Sequence, residues 1–172
     1  IDLVDPLNPA LAISLTGDST DLNGVFSATV LSNIATGEYM LQFEPTSAHL
    51  SQEMTISLNG NLDIGTVALA NGWLLSGQVV NSDGLAMSGI DIDIRSDQSG
   101  WLDLIGDETN PQGFFSVAIP AIIDEYRITF SYTALNPTVF PNEIDLGLLF
   151  GNTDTGVVTM DLAHTLTGLV VD

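Results

Sequence analysis

Two acidic loops hold the residues of this chain that are best suited to chemistry, and that chemistry would be calcium binding. They span residues 17–24 and 106–113, and each is rich in Asp, Asn and Gly. Calcium takes about six to eight oxygen ligands, mostly carboxylates and carbonyls, so each loop offers part of a site. The competing interpretation, which we favour, is that these residue types simply build turns. The candidate ligands are Asp18, Asp21, Asn23, Asp107 and Asn110.

Catalytic chemistry is poorly supported by the rest of the chain. Cysteine is absent, so no thiol nucleophile exists, and the only two histidines are His49 and His164. No Gly-x-Ser-x-Gly motif is present to place a serine nucleophile on a sharp turn. We therefore expect a protein without catalytic activity that requires no cofactor, with calcium as the one candidate ion.

The charge of the chain argues against two classes of partner. It carries 22 acidic residues against two arginines, Arg95 and Arg127, for a formal net charge of −20. Nucleic acids and anionic membrane surfaces are bound through clustered Lys and Arg, so neither partner is expected. No stretch reaches the roughly 18 consecutive apolar residues of a membrane span. Apolar residues make up 45% of the chain, which is enough for packed cores.

Alternation of apolar and polar residues is the dominant local pattern, and it predicts β-strands throughout the chain. Residues 90–95 and 126–133 both follow it, and Gly, Asn, Asp and Pro mark turns between such runs. No segment shows a helical period with caps at both ends. We therefore predict an all-β fold built of β-sandwiches. The predicted strands cover residues 1–4, 11–16, 25–31, 38–44, 52–58, 62–69, 74–81, 89–95, 113–119, 125–133, 143–149 and 154–162.

Several short motifs recur about 90 positions apart, which predicts tandem copies of one domain. Leu-Ser-Gly-Gln-Val-Val at residues 75–80 returns as Leu-Thr-Gly-Leu-Val-Val at residues 166–171. Asn-Gly-Val-Phe-Ser at residues 23–27 returns as Gln-Gly-Phe-Phe-Ser at residues 112–116. Gly-Glu-Tyr likewise returns as Asp-Glu-Tyr, 87 positions later.

These motifs predict two β-sandwich domains, at residues 1–70 and 73–163. The short join between them predicts nearly rigid neighbours. Aligning the Val-Asp pair at residues 4–5 with the Val-Asn pair at residues 80–81 implies that the first copy begins late in its first strand.

Two tryptophans are candidate contact residues. Trp73 lies at the join between the predicted domains, and Trp101 lies in a longer connection of the second copy. For Trp73, core or interdomain packing is the favoured interpretation. The alternative is an exposed aromatic side chain that binds a sugar or a protein partner.

Residues 165–172 predict an extra strand beyond the second domain. Left alone, such a strand exposes unpaired backbone groups, so it needs a partner. In one interpretation it is the first strand of a third repeat, in a chain excised from a longer array. In the other it is donated to the sheet of a neighbouring molecule. This assembly strand comprises Thr165, Leu166, Thr167, Gly168, Leu169, Val170 and Val171.

The second copy also carries a pattern of turn and core positions at residues 77–84, 87–92, 107–117 and 119–128. This pattern resembles the carboxypeptidase regulatory-like, or prealbumin-like, β-sandwich superfamily, which includes the B-type repeats of bacterial surface proteins. The resemblance implies Ig-like or prealbumin-like β-sandwich domains, which would serve as an accessory or stalk module of a secreted or surface protein. Some of those repeats are stiffened by a Lys–Asn isopeptide bond, which this chain cannot form because it has no lysine.

From these features we expect a non-catalytic structural repeat module of a larger surface or secreted assembly. Its expected partners are neighbouring copies of the same repeat or subunit, and its expected location is extracellular or at the cell surface. One alternative is a filament subunit that polymerises by donating its C-terminal strand. The other is a calcium- or carbohydrate-binding module.

Overall fold

The computed structural model describes residues 1–31, 34–132, 141–161 and 163. Within these residues the regular structure is all β, which confirms the predicted fold class. The chain divides into two compact units, unit 1 (Ile1–Ala70) and unit 2 (Asn71–Asp172). The described residues contain no helix that could span a bilayer.

Unit 1 contains one four-stranded antiparallel sheet with the strand order β2-β1-β3-β4. Apolar residues at alternate positions of β3 turn to one face of this sheet, where Tyr39, Leu41 and Phe43 are buried against Leu3. The strands are β1 (Asp2–Asp5), β2 (Asn8–Ile13), β3 (Gly37–Phe43) and β4 (Gln52–Leu58).

Two irregular segments, residues 25–31 and 62–69, supply side chains to the core of unit 1. Our prediction that both are strands is wrong. A single bridge joins Thr29 to Thr16, and residues 62–69 make no backbone-to-backbone hydrogen bond within the described part of the chain. The sheet of unit 1 is therefore covered by apolar side chains whose backbone forms no ladder.

Unit 2 is a β-sandwich of two sheets around one core. One sheet has the antiparallel order β10-β9-β6-β7, and the other has the order β11-β5-β8. Ile92, Ile128 and Phe130 from the first sheet and Leu75 and Val79 from the second belong to the same buried cluster. The strands are β5 (Gly72–Asn81), β6 (Ile90–Ser96), β7 (Gly100–Trp101), β8 (Phe114–Pro120), β9 (Asp124–Tyr132), β10 (Asn142–Leu149) and β11 (Thr153–Met160).

The central strand of the three-stranded sheet is β5. It pairs antiparallel with β8 on one side and parallel with β11 on the other. Midway along it, β11 bulges between Asp154 and Val157, opposite Gly77. A Cβ at Gly77 would lie 2.1 Å from Thr155 Oγ1 and 2.8 Å from Phe115 Cε1. The glycine therefore allows β5 to approach both neighbours at this point.

Strand order relates the two units to one another. The order β2-β1-β3-β4 in unit 1 matches β7-β6-β9-β10 in unit 2, strand for strand. Leu3 pairs with Leu41 in the same way that Ile94 pairs with Ile128. The sheet of unit 1 is thus the counterpart of the four-stranded sheet of unit 2.

This correspondence corrects the predicted phase of the repeat. Residues 1–3, Ile-Asp-Leu, correspond to residues 92–94, Ile-Asp-Ile, because they hold the same place in the sheet. The predicted equivalence of residues 4–5 with residues 80–81 is wrong, since it would match β1 with β5 rather than with β6. At the offset of 91, the positions equivalent to β5 fall before residue 1 of this sequence.

Two aromatic contacts are repeated between the units. The rings of Phe26 and Phe43 meet edge to face with centroids 6.1 Å apart. The rings of Phe115 and Phe130 do the same at 5.6 Å. Residues 25–31 therefore occupy the place of β8 above their own sheet, although they form no strand.

We predict that Gly77→Ala destabilises unit 2 by about 1–3 kcal/mol, because the added methyl group overpacks the contact with β11 and β8. Urea denaturation measures the change. The matched control is Gly151→Ala, also in unit 2, where an added Cβ meets nothing within 4 Å. Equal effects of the two substitutions would contradict the close approach at Gly77.

Candidate functional site

Three turns share one hydrogen-bonding pattern, and two of them contain predicted calcium ligands. In each, a side-chain oxygen of the first residue accepts the backbone N–H groups two and four positions later, at 2.8–3.0 Å. The glycine three positions later has φ of +77° or +78°. Asp21 and Asn110 begin two of these turns, and Asn81, which is not among the predicted calcium ligands, begins the third.

The predicted calcium ligands are thus partly engaged in holding their own loops. The pKa of Asp21 lies below its usual range, because the backbone N–H groups of Val25 and Asn23 donate to its carboxylate. The carbonyl of Asp18 accepts a hydrogen bond from the Ile1 amino group at 2.9 Å. Across the described ranges, no three His, Asp or Glu side chains come together as a metal site. Calcium binding by these loops stays a prediction.

Asp107, another predicted ligand, lies in a crowded acidic cluster. Asp91 pairs with Glu108 through an isolated bridge, and Asp93 follows Asp91 at the next outward position of β6. Burial, followed by repulsion from these three carboxylates, raises the pKa of Asp107 to about 6. Burial and the charge of Asp91 also raise the pKa of Asp93. The cluster therefore opposes folding at neutral pH.

A second carboxylate, Asp124, has the opposite environment, which the sequence analysis did not foresee. It is 5% exposed and accepts a hydrogen bond from the Ser96 hydroxyl at 2.5 Å. The backbone N–H groups of Gln98 and Glu125 donate to it at 3.0 and 2.9 Å. The Ser96 hydroxyl foremost, with these N–H groups, holds the pKa of Asp124 below its usual range. One feature of the sequence could have pointed to Asp124: in the aligned repeats it stands where the first copy has Gly37.

The two tryptophans differ in exposure. Trp73 is partly buried and packs against the core of unit 2, whereas Trp101 is 62% exposed. In the sheet, Arg95 lies opposite Trp101 on one neighbouring strand and opposite Arg127 on the other. The Arg127 Nε lies 4.0 Å from the Asp145 carboxylate. Both arginines thus share one sheet face with an exposed tryptophan. A ligand contact at either tryptophan stays a prediction.

The predicted assembly strand, residues 165–171, lies outside the described residues.

Comparisons with known proteins give only distant structural matches. No family model matches the chain, and a search of curated proteins finds no significant match. The shaft pilin SpaA from Lactobacillus rhamnosus GG is 12% identical, with a TM-score of 0.41 over 87% of this chain and 70% of the pilin. A point mutant of that pilin is 10% identical, with a TM-score of 0.41 over 86% and 73% of the two chains. The Bacillus anthracis TIE protein is 11% identical, with a TM-score of 0.37 over 94% of this chain and 30% of its own length.

We predict that Asp124→Asn lowers the free energy of unfolding at pH 7. Because the folded-state pKa lies below the unfolded value of about 3.9, the charged form stabilises the fold above that pH. This contribution is lost as the pH falls through the folded-state pKa, so the difference between variant and parent shrinks below about pH 4. Urea denaturation at a series of pH values measures it. Asp103→Asn, at an exposed position, is the control.

We predict that Asp107→Asn has the opposite effect and stabilises unit 2 at pH 7. A raised folded-state pKa means that the contribution of Asp107 is fully present below about pH 4. It is lost as the pH rises through about 6. The gain in unfolding free energy from Asp107→Asn should therefore be absent below about pH 4, grow as the pH rises to about 6 and persist at pH 7. A gain that does not change with pH would contradict the acidic-cluster explanation.

Proposed function

We propose that this chain is a non-catalytic structural module of an extracellular array, and that unit 2 transmits tension along it. The observation that carries the proposal is the parallel pairing of β5 with β11. These are the first strand of unit 2 and the last strand described in it.

The register of this pair determines how unit 2 responds to force. Leu75 lies opposite Thr153 near one end, and Asn81 lies opposite Met160 at the other. Tension that enters at the start of β5 and leaves at the end of β11 therefore acts along both strands. The hydrogen bonds of the ladder then resist shear together, instead of breaking one after another.

Side-chain contacts reinforce the same ladder. The Asn152 side chain accepts a hydrogen bond from the Leu74 backbone N–H at 2.9 Å, next to the first paired residues. At the bulge, the Thr155 hydroxyl donates to the Ser76 carbonyl at 3.2 Å. The two strands are therefore tied at their start as well as along their length.

The composition supports an exposed, extracellular setting. An acidic surface keeps a protein soluble and discourages nonspecific association. Arginine and lysine are the cleavage sites of trypsin-like proteases, and this chain offers only Arg95 and Arg127, both within paired strands. The proposed partners are neighbouring copies of the same repeat or subunit, in a surface or secreted assembly.

We predict that unit 2 resists force in a direction-dependent way. Because the chain has no cysteine, engineered cysteines define the pulling points cleanly. Anchors at Asn71→Cys and Asp161→Cys load the β5–β11 ladder in shear, and the unfolding force should be severalfold higher than in the control. Single-molecule force spectroscopy makes the measurement, which reports the forced-unfolding rate.

The control pulls on the same ladder from one end. Anchors at Asn71→Cys and Gly151→Cys both lie where the two strands begin, so force peels the hydrogen bonds apart singly. Similar unfolding forces in the two geometries would refute the tension role and leave only a spacer.

The calcium alternative has its own test. Since side-chain oxygens of Asp21 and Asn110 already hold their turns, we expect the melting temperature to be the same in calcium and in chelator at matched ionic strength. Differential scanning calorimetry measures it, with magnesium as the control cation. A calcium-specific rise that Asp21→Asn abolishes would instead assign the first loop to calcium.

A further inference from the structure

The sequence contains three Asn-Gly pairs, at residues 23–24, 59–60 and 71–72. At such a pair the glycine nitrogen can attack the side-chain amide carbon of the asparagine, because glycine carries no side chain to hinder the approach and its backbone rotates easily. The reaction is intramolecular and needs no cofactor. It does require that the pair is exposed and that its backbone is not held in a turn or a ladder. The fold therefore decides which of the three pairs can react.

The first pair is held in the turn that Asp21 begins. The Asn23 backbone N–H donates to the Asp21 carboxylate at 2.8 Å. The Gly24 N–H, which would have to react, donates to the Asp21 backbone carbonyl at 3.0 Å. Ring closure at this pair would break both hydrogen bonds, so the fold of unit 1 should protect Asn23.

The third pair enters the ladder of unit 2. Gly72 is the first residue of β5, lies opposite Pro120 of β8 and is buried. Rotation of the backbone at Asn71 would move Gly72 away from its place in the sheet. The fold of unit 2 should therefore protect Asn71 in the same way.

The second pair differs from both. Asn59 and Gly60 directly follow β4, which ends at Leu58, and both are exposed. The Gly60 N–H donates none of the backbone hydrogen bonds found in the described part of the chain. Gly60 has φ of +152°, a conformation that favours glycine, and a Cβ there would meet nothing within 4 Å. This pair thus has both an available N–H and open space around it.

We propose that Asn59 is a site of spontaneous deamidation in the folded protein. The Gly60 nitrogen forms a bond to Cγ of Asn59, the amide C–N bond of the side chain breaks, and ammonia leaves with the proton that the Gly60 nitrogen gives up. Water then opens the resulting five-membered imide at either of its two carbonyl carbons. The products are aspartate and isoaspartate, and both add one negative charge at residue 59.

The position of Asn59 gives the modification a structural consequence. Residue 59 joins β4 to residues 62–69, from which Ile64, Val67 and Leu69 pack against the core of unit 1. In isoaspartate the main chain runs through the β-carbon, so the connection becomes one carbon longer. Residues 62–69 form no ladder, so the added length falls on a segment that is held mainly by its side chains. This proposal concerns unit 1 and does not depend on the response of unit 2 to force.

Incubation of the full chain in mildly alkaline buffer tests the proposal, with peptide mapping by mass spectrometry to follow each pair separately. Asn59 should convert to aspartate and isoaspartate at least about tenfold faster than Asn23 or Asn71, because those two react only when their turn or ladder opens. In urea, where both units are unfolded, the three pairs should react at similar rates. An Asn59 that reacts no faster than the other two in the folded chain would overturn the proposal.

The chain offers an internal control and a matched variant. Asn61 is exposed in the same connection, but it is followed by Leu62, whose side chain hinders attack by the backbone nitrogen. Asn61 should therefore stay unmodified while Asn59 reacts. Asn59→Gln should abolish the modification at this position, because the corresponding ring has six members and closes far more slowly. Equal reaction of Asn59 and Asn61 would show that exposure alone is responsible, and would refute the assignment to the Asn-Gly pair.

Discussion

The rest of this structure depends on one strand, β5, which holds the second sheet of unit 2 together. It hydrogen-bonds to both β8 and β11, and within the described residues neither of them has another partner in that sheet. It also places Leu75 and Val79 at the centre of the core. Where such a strand is present, the unit is a closed sandwich. Where the described chain has none, as in unit 1, equivalent segments supply side chains to the core and form no ladder.

The same constraint connects the fold to the proposed function. Because β5 is the first strand of unit 2 and pairs in parallel with β11, tension on the unit acts on the ladder that also completes its core. The electrostatic contributions are local and opposed, since Asp124 stabilises the folded state and the cluster at Asp107 opposes it.

Much of the fold could be predicted from the sequence, because alternation and turn residues act locally. The strands around Tyr39 and Tyr126 lie where alternation predicts them, since each buries one face. The predictions of strands at residues 25–31 and 62–69 failed for a general reason. Alternation of apolar and polar residues shows that a segment suits a sheet, but it does not show whether a partner strand is present. The predicted phase of the repeat was wrong because the Val-Asp and Val-Asn pairs at strand ends are too short to align reliably. Only the strand order showed that β1 corresponds to β6.

The candidate sites were harder to predict. Asp, Asn and Gly in one loop fit both a turn and a calcium site. The residue types alone do not show that the Asp21 carboxylate accepts hydrogen bonds from the backbone N–H groups of Asn23 and Val25. Asp124 was overlooked because its sequence neighbours do not show that Ser96, at the end of β6, and Gln98, in the turn that follows, donate hydrogen bonds to its carboxylate. Both cases depend on contacts between residues that are close in space, which a single sequence does not state.

The stability of the ladder around β5 is the most direct measure of the account. Because β5 pairs with β8 on one side and with β11 on the other, its backbone N–H groups should exchange with deuterium only when unit 2 unfolds as a whole. Hydrogen-exchange mass spectrometry should therefore show residues 73–80 as well protected as β9, a central strand of the other sheet. Faster exchange in residues 73–80 than in β9 would contradict a second sheet that β5 organises.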